Sequence, residues 1–140
     1  MDLRKRLIST ALEWQNRFGV APAITSVLSE YDAAILVRCP EDEYSLYMQD
    51  KTAVSRGTDF VHEGKKYQVK ACRPSGKRGS RVTKVPKAKN YKWDYLIWVH
   101  YTKAYEIQEA WLWGVTEYRN AFDSVDRLSP DHMRRGKRLK

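Results

Sequence analysis

Residues 58–72, with the sequence TDFVHEGKKYQVKAC, form the stretch around which the rest of the chain can be arranged. Two segments of it, 58–61 and 66–72, are rich in the β-branched and aromatic residues that favour strands. The short connection between them contains Gly64, which can adopt the positive φ angle of a tight turn. We therefore expect a β-hairpin here.

Polar side chains of this hairpin form a candidate catalytic cluster. Side chains alternate along a strand, so Gln68 and Lys70 share one face, and antiparallel pairing brings the Asp59 carboxylate within reach of them. Carboxylate, amide and backbone oxygens are ligands that Mg²⁺ prefers, so Asp59, the Gln68 side chain and the Val69 carbonyl are the expected metal ligands. Lys70 would orient an attacking water or stabilise the charge that develops on a phosphate.

Two helices and a strand are predicted before the hairpin. Apolar residues recur at helical spacing over residues 3–18, and Gly19 can end that helix in the left-handed conformation. A second helical pattern begins at Ile24 and ends before Pro40, because the residue preceding a proline disfavours helical angles. The aromatic run 44–48 favours a strand, which would complete a three-stranded meander with the hairpin.

Further strands and short helices are predicted after the hairpin. Residues 95–101 are apolar on both faces, which is typical of a central strand covered on both sides. Residues 105–113 predict one or two more strands, and Thr116 can cap a short helix that ends at Phe122. The Ser-Pro pair 129–130 has the residue types of a helix N-cap and first turn.

The length of 140 residues suits a single domain, 1–140, with a helical N-terminal segment 1–20 and a basic C-terminal tail 130–140. No apolar run is long enough for a spanning helix or a secretory signal, so we expect a soluble, cytoplasmic protein without a membrane partner. Cys39 and Cys72 lack the paired spacing of a zinc module, so we expect two core thiols with no zinc and no disulfide.

The chain is strongly basic, with a formal net charge of +9 and an isoelectric point near 9.6. This charge favours a polyanionic partner, with nucleic acid first and an anionic membrane surface second. Residues 65–92 contain many Lys and Arg but no acidic residue, which predicts a loop that contacts phosphates. The expected nucleic-acid-binding residues are Arg73, Lys77, Arg78, Arg81, Lys84, Lys87 and Lys89.

The pattern of Asp59 followed by Gln68-Val69-Lys70 resembles the PD-(D/E)xK (restriction-endonuclease-like) nuclease superfamily in its Gln-x-Lys variant, similar to resolvase-like and restriction-type members. Residues 24–99 also resemble its αβββαβ core, an α/β (α+β) fold with a mixed central sheet and flanking helices. Members often carry a Glu on the first core helix that faces the metal. Glu30 is the matching residue, with Glu13 as the alternative.

Two positions depart from the motif, since Thr58 replaces its proline and Gln68 its acidic residue. The resemblance implies a Mg²⁺-dependent endodeoxyribonuclease, with Mn²⁺ as a substitute, that hydrolyses phosphodiester bonds of duplex or branched DNA and leaves a 5′-phosphate. Asp59, Gln68, Lys70 and Glu30 would be catalytic, and the metal ligands would be Asp59, Gln68, Val69 and Glu30.

Concerted cutting of both strands needs two active sites, so we expect a homodimer, with exposed Trp or Tyr of residues 105–113 as candidate interface residues. Two other functions remain open. One is a non-catalytic nucleic-acid-binding domain of the same fold, which the amide at Gln68 makes plausible. The other is a basic interaction protein for an acidic partner.

Overall fold

The computed structural model describes residues 2–51 and 57–140. Within them, the helices are α1 (Leu3–Phe18), α2 (Thr25–Leu36), α3 (Glu41–Asp50), α4 (Val115–Phe122) and α5 (Pro130–Met133). The strands are β1 (Phe60–His62), β2 (Lys65–Cys72), β3 (Tyr95–Tyr101), β4 (Ile107–Gly114) and β5 (Lys137–Arg138). No helix in these ranges is long and apolar enough to cross a membrane.

The strands form one mixed sheet in the order β1-β2-β3-β4-β5. β2 and β3 run parallel, and the other neighbouring pairs are antiparallel. The central strand β3 is buried from Leu96 to Tyr101, as its continuous apolar sequence predicts. The prediction of a mixed α/β (α+β) chain with a central mixed sheet and helices is therefore confirmed.

β1 and β2 form the predicted hairpin. Phe60 pairs with Tyr67, and the two-residue turn Glu63-Gly64 has positive φ angles of 50° and 75°. Such a turn matches the right-handed twist of the flanking strands. The Asp59 N–H donates to the Tyr67 carbonyl at 2.7 Å, which extends the pairing by one residue and fixes Asp59 beside β2.

Both predicted N-terminal helices are present, and a buried carboxylate ties them to the sheet. α1 ends at Phe18, and the residue after it, Gly19, has the expected left-handed φ of 87°. Asp32 of α2, only 4% exposed, accepts hydrogen bonds at 2.7 and 2.8 Å from Arg4 of α1. It also accepts one at 2.7 Å from the Tyr101 hydroxyl of β3. These contacts set the position of α2 against the sheet.

Residues 44–48 are helical, so the predicted strand is wrong. α3 follows Pro40 and has three acidic residues in its first turn, where they interact favourably with the helix dipole. Tyr44 and Tyr47 pack against the core, which the spacing of three in a helix allows. A strand would instead have turned Leu46 to the same side as Tyr44, whereas Leu46 is 64% exposed.

The αβββαβ order is wrong on both counts, since α3 replaces the first strand and no helix joins β2 to β3 within residues 73–94. This connection is the predicted basic loop. Pro74 and Pro86 interrupt it, and Gly76 and Gly79 have the positive φ angles that a helix excludes. Its regular pairing is limited to a single bridge from Val85 to residue 128.

The C-terminal elements follow the prediction closely. β4 is a single strand, and α4 begins at Val115 with Gly114 as its N-cap, two residues before the predicted helix and without a cap from Thr116. Ser129 caps α5 as expected and forms a capping box with His132. The basic tail is folded, because Lys137–Arg138 pairs with β4 as β5.

Apolar layers cover the two faces of the sheet. One layer contains Ala33 of α2 with Val69 and Ile97, and the other contains Tyr118 of α4 with Leu96. The two cysteines are buried free thiols that belong to opposite layers.

The aromatic residues expected at a dimer interface are mostly part of this core. Tyr105 is 1% and Trp113 is 7% exposed, and the partly buried Trp111 lies under the Arg138 guanidinium, 5.4 Å from it. They are covered because Tyr105 packs into the apolar layer that contains Ala33, and Trp113 into the layer that contains Tyr118. The expectation of exposed interface aromatics in residues 105–113 is therefore wrong, while the homodimer itself stays a prediction.

Candidate active site

Asp59 and β2 come together as the hairpin predicts. One Asp59 oxygen, Oδ2, accepts a hydrogen bond from the Val69 N–H at 2.7 Å and another from Gln68 Nε2 at 3.0 Å. Asp59 precedes the edge strand β1. Its side chain turns toward β2, where the Val69 N–H needs a hydrogen-bond acceptor. The carboxylate is therefore held in a fixed orientation while remaining partly exposed.

Gln68 faces Asp59 through nitrogen rather than oxygen. Its Nε2 also lies 3.4 Å from the Val69 carbonyl oxygen, so both predicted neutral ligands are engaged with this amide group. Ligation of a metal by the Gln68 oxygen, as the sequence suggests, needs a half-turn of the terminal amide that exchanges its oxygen and nitrogen. In the arrangement seen here, Gln68 acts as a hydrogen-bond donor to Asp59.

Glu30 of α2 is the helix carboxylate that lies beside Asp59. Burial, followed by the charge of Asp59 and a hydrogen bond with it, raises the pKa of Glu30 to about 7. Glu13, the alternative, is exposed on α1. The carboxylates of Glu30 and Asp59 therefore lie together in a partly buried position. They repel each other there unless a proton or a cation lies between them.

Lys70 completes the predicted cluster from β2. Val69 packs into the layer that contains α2, so its neighbours Gln68 and Lys70 project from the opposite face of the sheet. Burial lowers the pKa of the Lys70 ammonium, the nearby Asp59 carboxylate opposes that effect, and Lys89 of the basic loop adds to it. Asp59, at the sheet edge, is therefore close to groups from both faces.

Two residues near the cluster were missed by sequence reasoning, and both belong to or follow α3. Lys51 Nζ donates to the Asp59 backbone carbonyl at 3.1 Å, and its charge acts to lower the pKa of Glu30. Burial and the charges of Glu30 and Asp59 raise the pKa of Tyr44. Tyr44 was missed because residues 44–48 were predicted to form a strand, not a helix. The available signal for Lys51 is that it is the only basic residue in the range 39–55.

The donor set suits a hard divalent cation. Asp59 and Glu30 offer carboxylate oxygens, which are the ligands Mg²⁺ takes, and their mutual repulsion would be relieved by a bound cation. One oxygen of Asp59 already accepts two hydrogen bonds from β2, so the same carboxylate would be oriented before the cation arrives.

Two of the seven basic residues predicted to contact phosphates are engaged within the protein. The Arg73 guanidinium lies 4.0 Å from the centre of the Tyr105 ring and donates to Gln15 Oε1 at 2.8 Å. Lys87 Nζ donates to two backbone carbonyls that follow α4, at 3.0 and 2.9 Å. Both side chains therefore anchor the basic loop to the protein. The other five predicted residues are exposed, namely Lys77, Arg78, Arg81, Lys84 and Lys89.

Comparison with known proteins gives no family assignment. No protein-family model matches the chain, and no curated protein is similar to it in sequence. The chemical arrangement of the site is therefore the basis for a functional proposal.

Proposed function

We propose that the protein is a Mg²⁺-dependent DNA endonuclease with an active site of the PD-(D/E)xK type, on a chain whose order of elements departs from the αβββαβ core. The observation that carries this proposal is the meeting of two carboxylates and an ammonium from three separate parts of the chain. Glu30 comes from α2, Asp59 from the residue before β1 and Lys70 from β2. A carboxylate pair beside a partly buried lysine is the set of groups that metal-assisted phosphodiester hydrolysis needs.

Each side chain has a defined task in this proposal. Asp59 and Glu30 hold the metal, which when bound polarises the phosphate and lowers the pKa of its water. The Lys70 ammonium donates hydrogen bonds to the phosphate or the attacking water, stabilising the negative charge of the transition state. Gln68 holds Asp59 in place and, after rotation of its amide, offers a neutral oxygen to the cation.

The basic loop would bring the substrate to this site. Lys89 acts electrostatically on Lys70, so the part of the loop that contains Lys89 lies near the cluster. Contacts from such residues to DNA phosphates fix the position of the duplex without selecting a sequence. This arrangement supports DNA as the substrate.

The test is cleavage of supercoiled plasmid, branched DNA and single-stranded DNA with and without Mg²⁺. We expect the Asp59→Asn and Lys70→Met variants to cut at least about a hundredfold more slowly than the wild type. Glu30→Gln should lose activity, while Glu13→Gln, the same change on the exposed face of α1, should retain it. Undiminished cutting by Asp59→Asn or Lys70→Met would overturn the proposal.

A second function is favoured by the orientation of Gln68. Because its amide nitrogen donates to an Asp59 oxygen that a cation would otherwise use, the same fold could bind DNA without catalysing hydrolysis. A protein of this kind would bind duplex or branched DNA but cut none of the three substrates with Mg²⁺ or Mn²⁺. Calorimetric titration would then find no Mg²⁺ site that depends on Asp59.

A further inference from the structure

A second group of metal-ligating side chains lies at the start of α3, apart from the carboxylate pair. Cys39 belongs to the link between α2 and α3, Glu43 to the first turn of α3, and His62 ends β1. Glu43 Oε2 lies 2.9 Å from Cys39 Sγ and 2.6 Å from His62 Nδ1. One ligand atom from each residue lies within 4.8 Å of the other two.

We propose that Cys39, Glu43 and His62 bind one Zn²⁺ ion. Thiolate sulfur, imidazole nitrogen and carboxylate oxygen are the three ligand types that Zn²⁺ takes in proteins, whereas Mg²⁺ takes oxygen alone. The sulfur of Cys39 therefore sets this site apart from the Mg²⁺ site proposed above. Sequence spacing does not predict it, because the three residues come from separate stretches instead of a CxxC pair.

The present distances are those of hydrogen bonds and leave a small adjustment for the ion. Tetrahedral Zn²⁺ with ligands at about 2.0 to 2.3 Å separates neighbouring ligand atoms by about 3.3 to 3.7 Å. Glu43 has to withdraw by less than about 1 Å, and its side chain is 48% exposed, so it has room to move. Cys39 and His62 are buried, so Glu43 is the ligand with most freedom to adjust.

Zinc binding replaces the protons that the three groups now share. The Cys39 thiol loses its proton to solvent and binds through sulfur, neutral His62 binds through Nδ1, and Glu43 binds as a carboxylate. Water takes the fourth position on the exposed Glu43 side. The other ring nitrogen of His62, Nε2, lies 3.7 Å from a carboxylate oxygen of Glu63, so an acceptor stands near the N–H that must point away from the ion.

The ion would fasten α3, which is otherwise weakly anchored. None of the residues of α3 is fully buried, although the helix packs against the core through Tyr44 and Tyr47. A zinc site would join this helix to the end of α2 and to β1. These are the elements that bring Glu30, Lys51 and Asp59 together, so zinc would stabilise the proposed active site from outside it.

The site is tested with Co²⁺ as a spectroscopic substitute for Zn²⁺ on the metal-free full chain. We expect one equivalent of Co²⁺ to produce a thiolate-to-cobalt charge-transfer absorption in the near ultraviolet, which one equivalent of Zn²⁺ removes. Cys39→Ser should abolish this absorption, and Cys72→Ser should keep it, since Cys72 is the other buried free thiol. Asp59→Asn should also keep it, which separates this site from the proposed nuclease activity.

Affinity measurements provide a readout that does not depend on the cysteine variant folding. In calorimetric titrations with Zn²⁺, we expect the partly exposed Glu43→Gln to bind more than about tenfold more weakly than the wild type. Two outcomes would overturn the proposal: no cobalt–sulfur absorption in the folded wild type, or an absorption that persists in Cys39→Ser. Either would leave the three residues as a hydrogen-bonded group only.

Discussion

At residue 68 an amide occupies the position that an acid would fill in a site with three carboxylates. Replacing Gln68 by Glu removes the donor to Asp59 and adds a third negative charge beside Asp59 and Glu30. Without Mg²⁺ we expect the free energy of unfolding to fall by about 1 to 2 kcal/mol. With Mg²⁺ we expect half-maximal cleavage at about one tenth of the metal concentration that the wild type needs. Urea unfolding and Mg²⁺ titration of the cleavage rate measure the two effects.

The matched control for this change is Gln108→Glu, which adds the same charge at an exposed position of β4. It should alter neither the Mg²⁺ requirement nor the stability by a comparable amount. If both variants responded equally to Mg²⁺, the effect would be one of net charge, and residue 68 would have no special relation to the cation.

Glu109 is the residue whose protonation should control acid stability. Hydrogen bonds from Arg134, followed by those from His100 and Trp111, lower the pKa of Glu109 to about 2 from its usual value of 4.5. The folded state therefore prefers the carboxylate, and this stabilisation is complete above about pH 4.5 and disappears as the pH falls towards 2. Glu109→Gln should lower the free energy of unfolding at pH 7 by about 3 kcal/mol.

The measurement is urea unfolding of wild type and variant between pH 7 and pH 2. The difference between them should shrink as the pH falls from about 4.5. Asp131→Asn is the control, because Asp131 also pairs with Arg134 but is 88% exposed. A difference that stayed constant down to pH 2 would show that Glu109 does not carry the pH dependence.

Among the elements, α3 is the one whose identity most affects the proposed site. Leu46 is in the middle of the helix and 64% exposed, so a substitution there removes no core contact. Leu46→Pro should destabilise the protein by about 3 kcal/mol if residues 41–50 are helical, because proline breaks an internal hydrogen bond. Leu46→Ala should be neutral or slightly stabilising. Equal unfolding midpoints of the two variants in urea would contradict the helix.

The same element shows where sequence reasoning succeeds and where it stops. The hairpin was predictable because Gly64 and the flanking β-branched residues act locally. The register of its two strands places Asp59 beside Gln68. α3 was not predictable, since Tyr44 and Tyr47 have high strand propensity, and only their packing against the core selects the helix. Lys51 is positioned by the end of α3, so its contact with Asp59 was missed together with the helix.

Other features of the site depend on contacts that no local pattern encodes. Gln68 was expected to offer an oxygen, yet Asp59 lies close enough to take its amide hydrogens. Arg73 had the composition of a phosphate contact, but its ring partner Tyr105 comes from a distant turn after β3. In both cases the tertiary partner decides the role of the side chain.

Across the whole molecule, only some of the basic side chains are free to contact DNA, because others are engaged within the protein. The net charge of +9 predicts attraction to DNA from any direction, but the exposed Lys89 of the basic loop places part of that charge near Lys70, on which it acts electrostatically. Arg73 and Lys87, being engaged internally, hold the loop in place rather than adding to its contacts. Binding should therefore depend on the location of charge as well as its amount.

DNA binding should weaken with salt according to the number of exposed loop residues that contact phosphates. If about five contacts form, affinity should fall roughly 500-fold between 50 and 200 mM salt. Removing two of them with Lys77→Gln and Arg81→Gln should reduce the logarithmic salt slope by about 1.8. The change Lys5→Gln with Arg6→Gln removes the same charge from the exposed surface of α1 and should leave the slope almost unchanged. Fluorescence anisotropy with a labelled duplex measures both slopes. Equal losses in the two double variants would mean that DNA responds to net charge alone, and the basic loop would then have no special part in holding the substrate at Asp59.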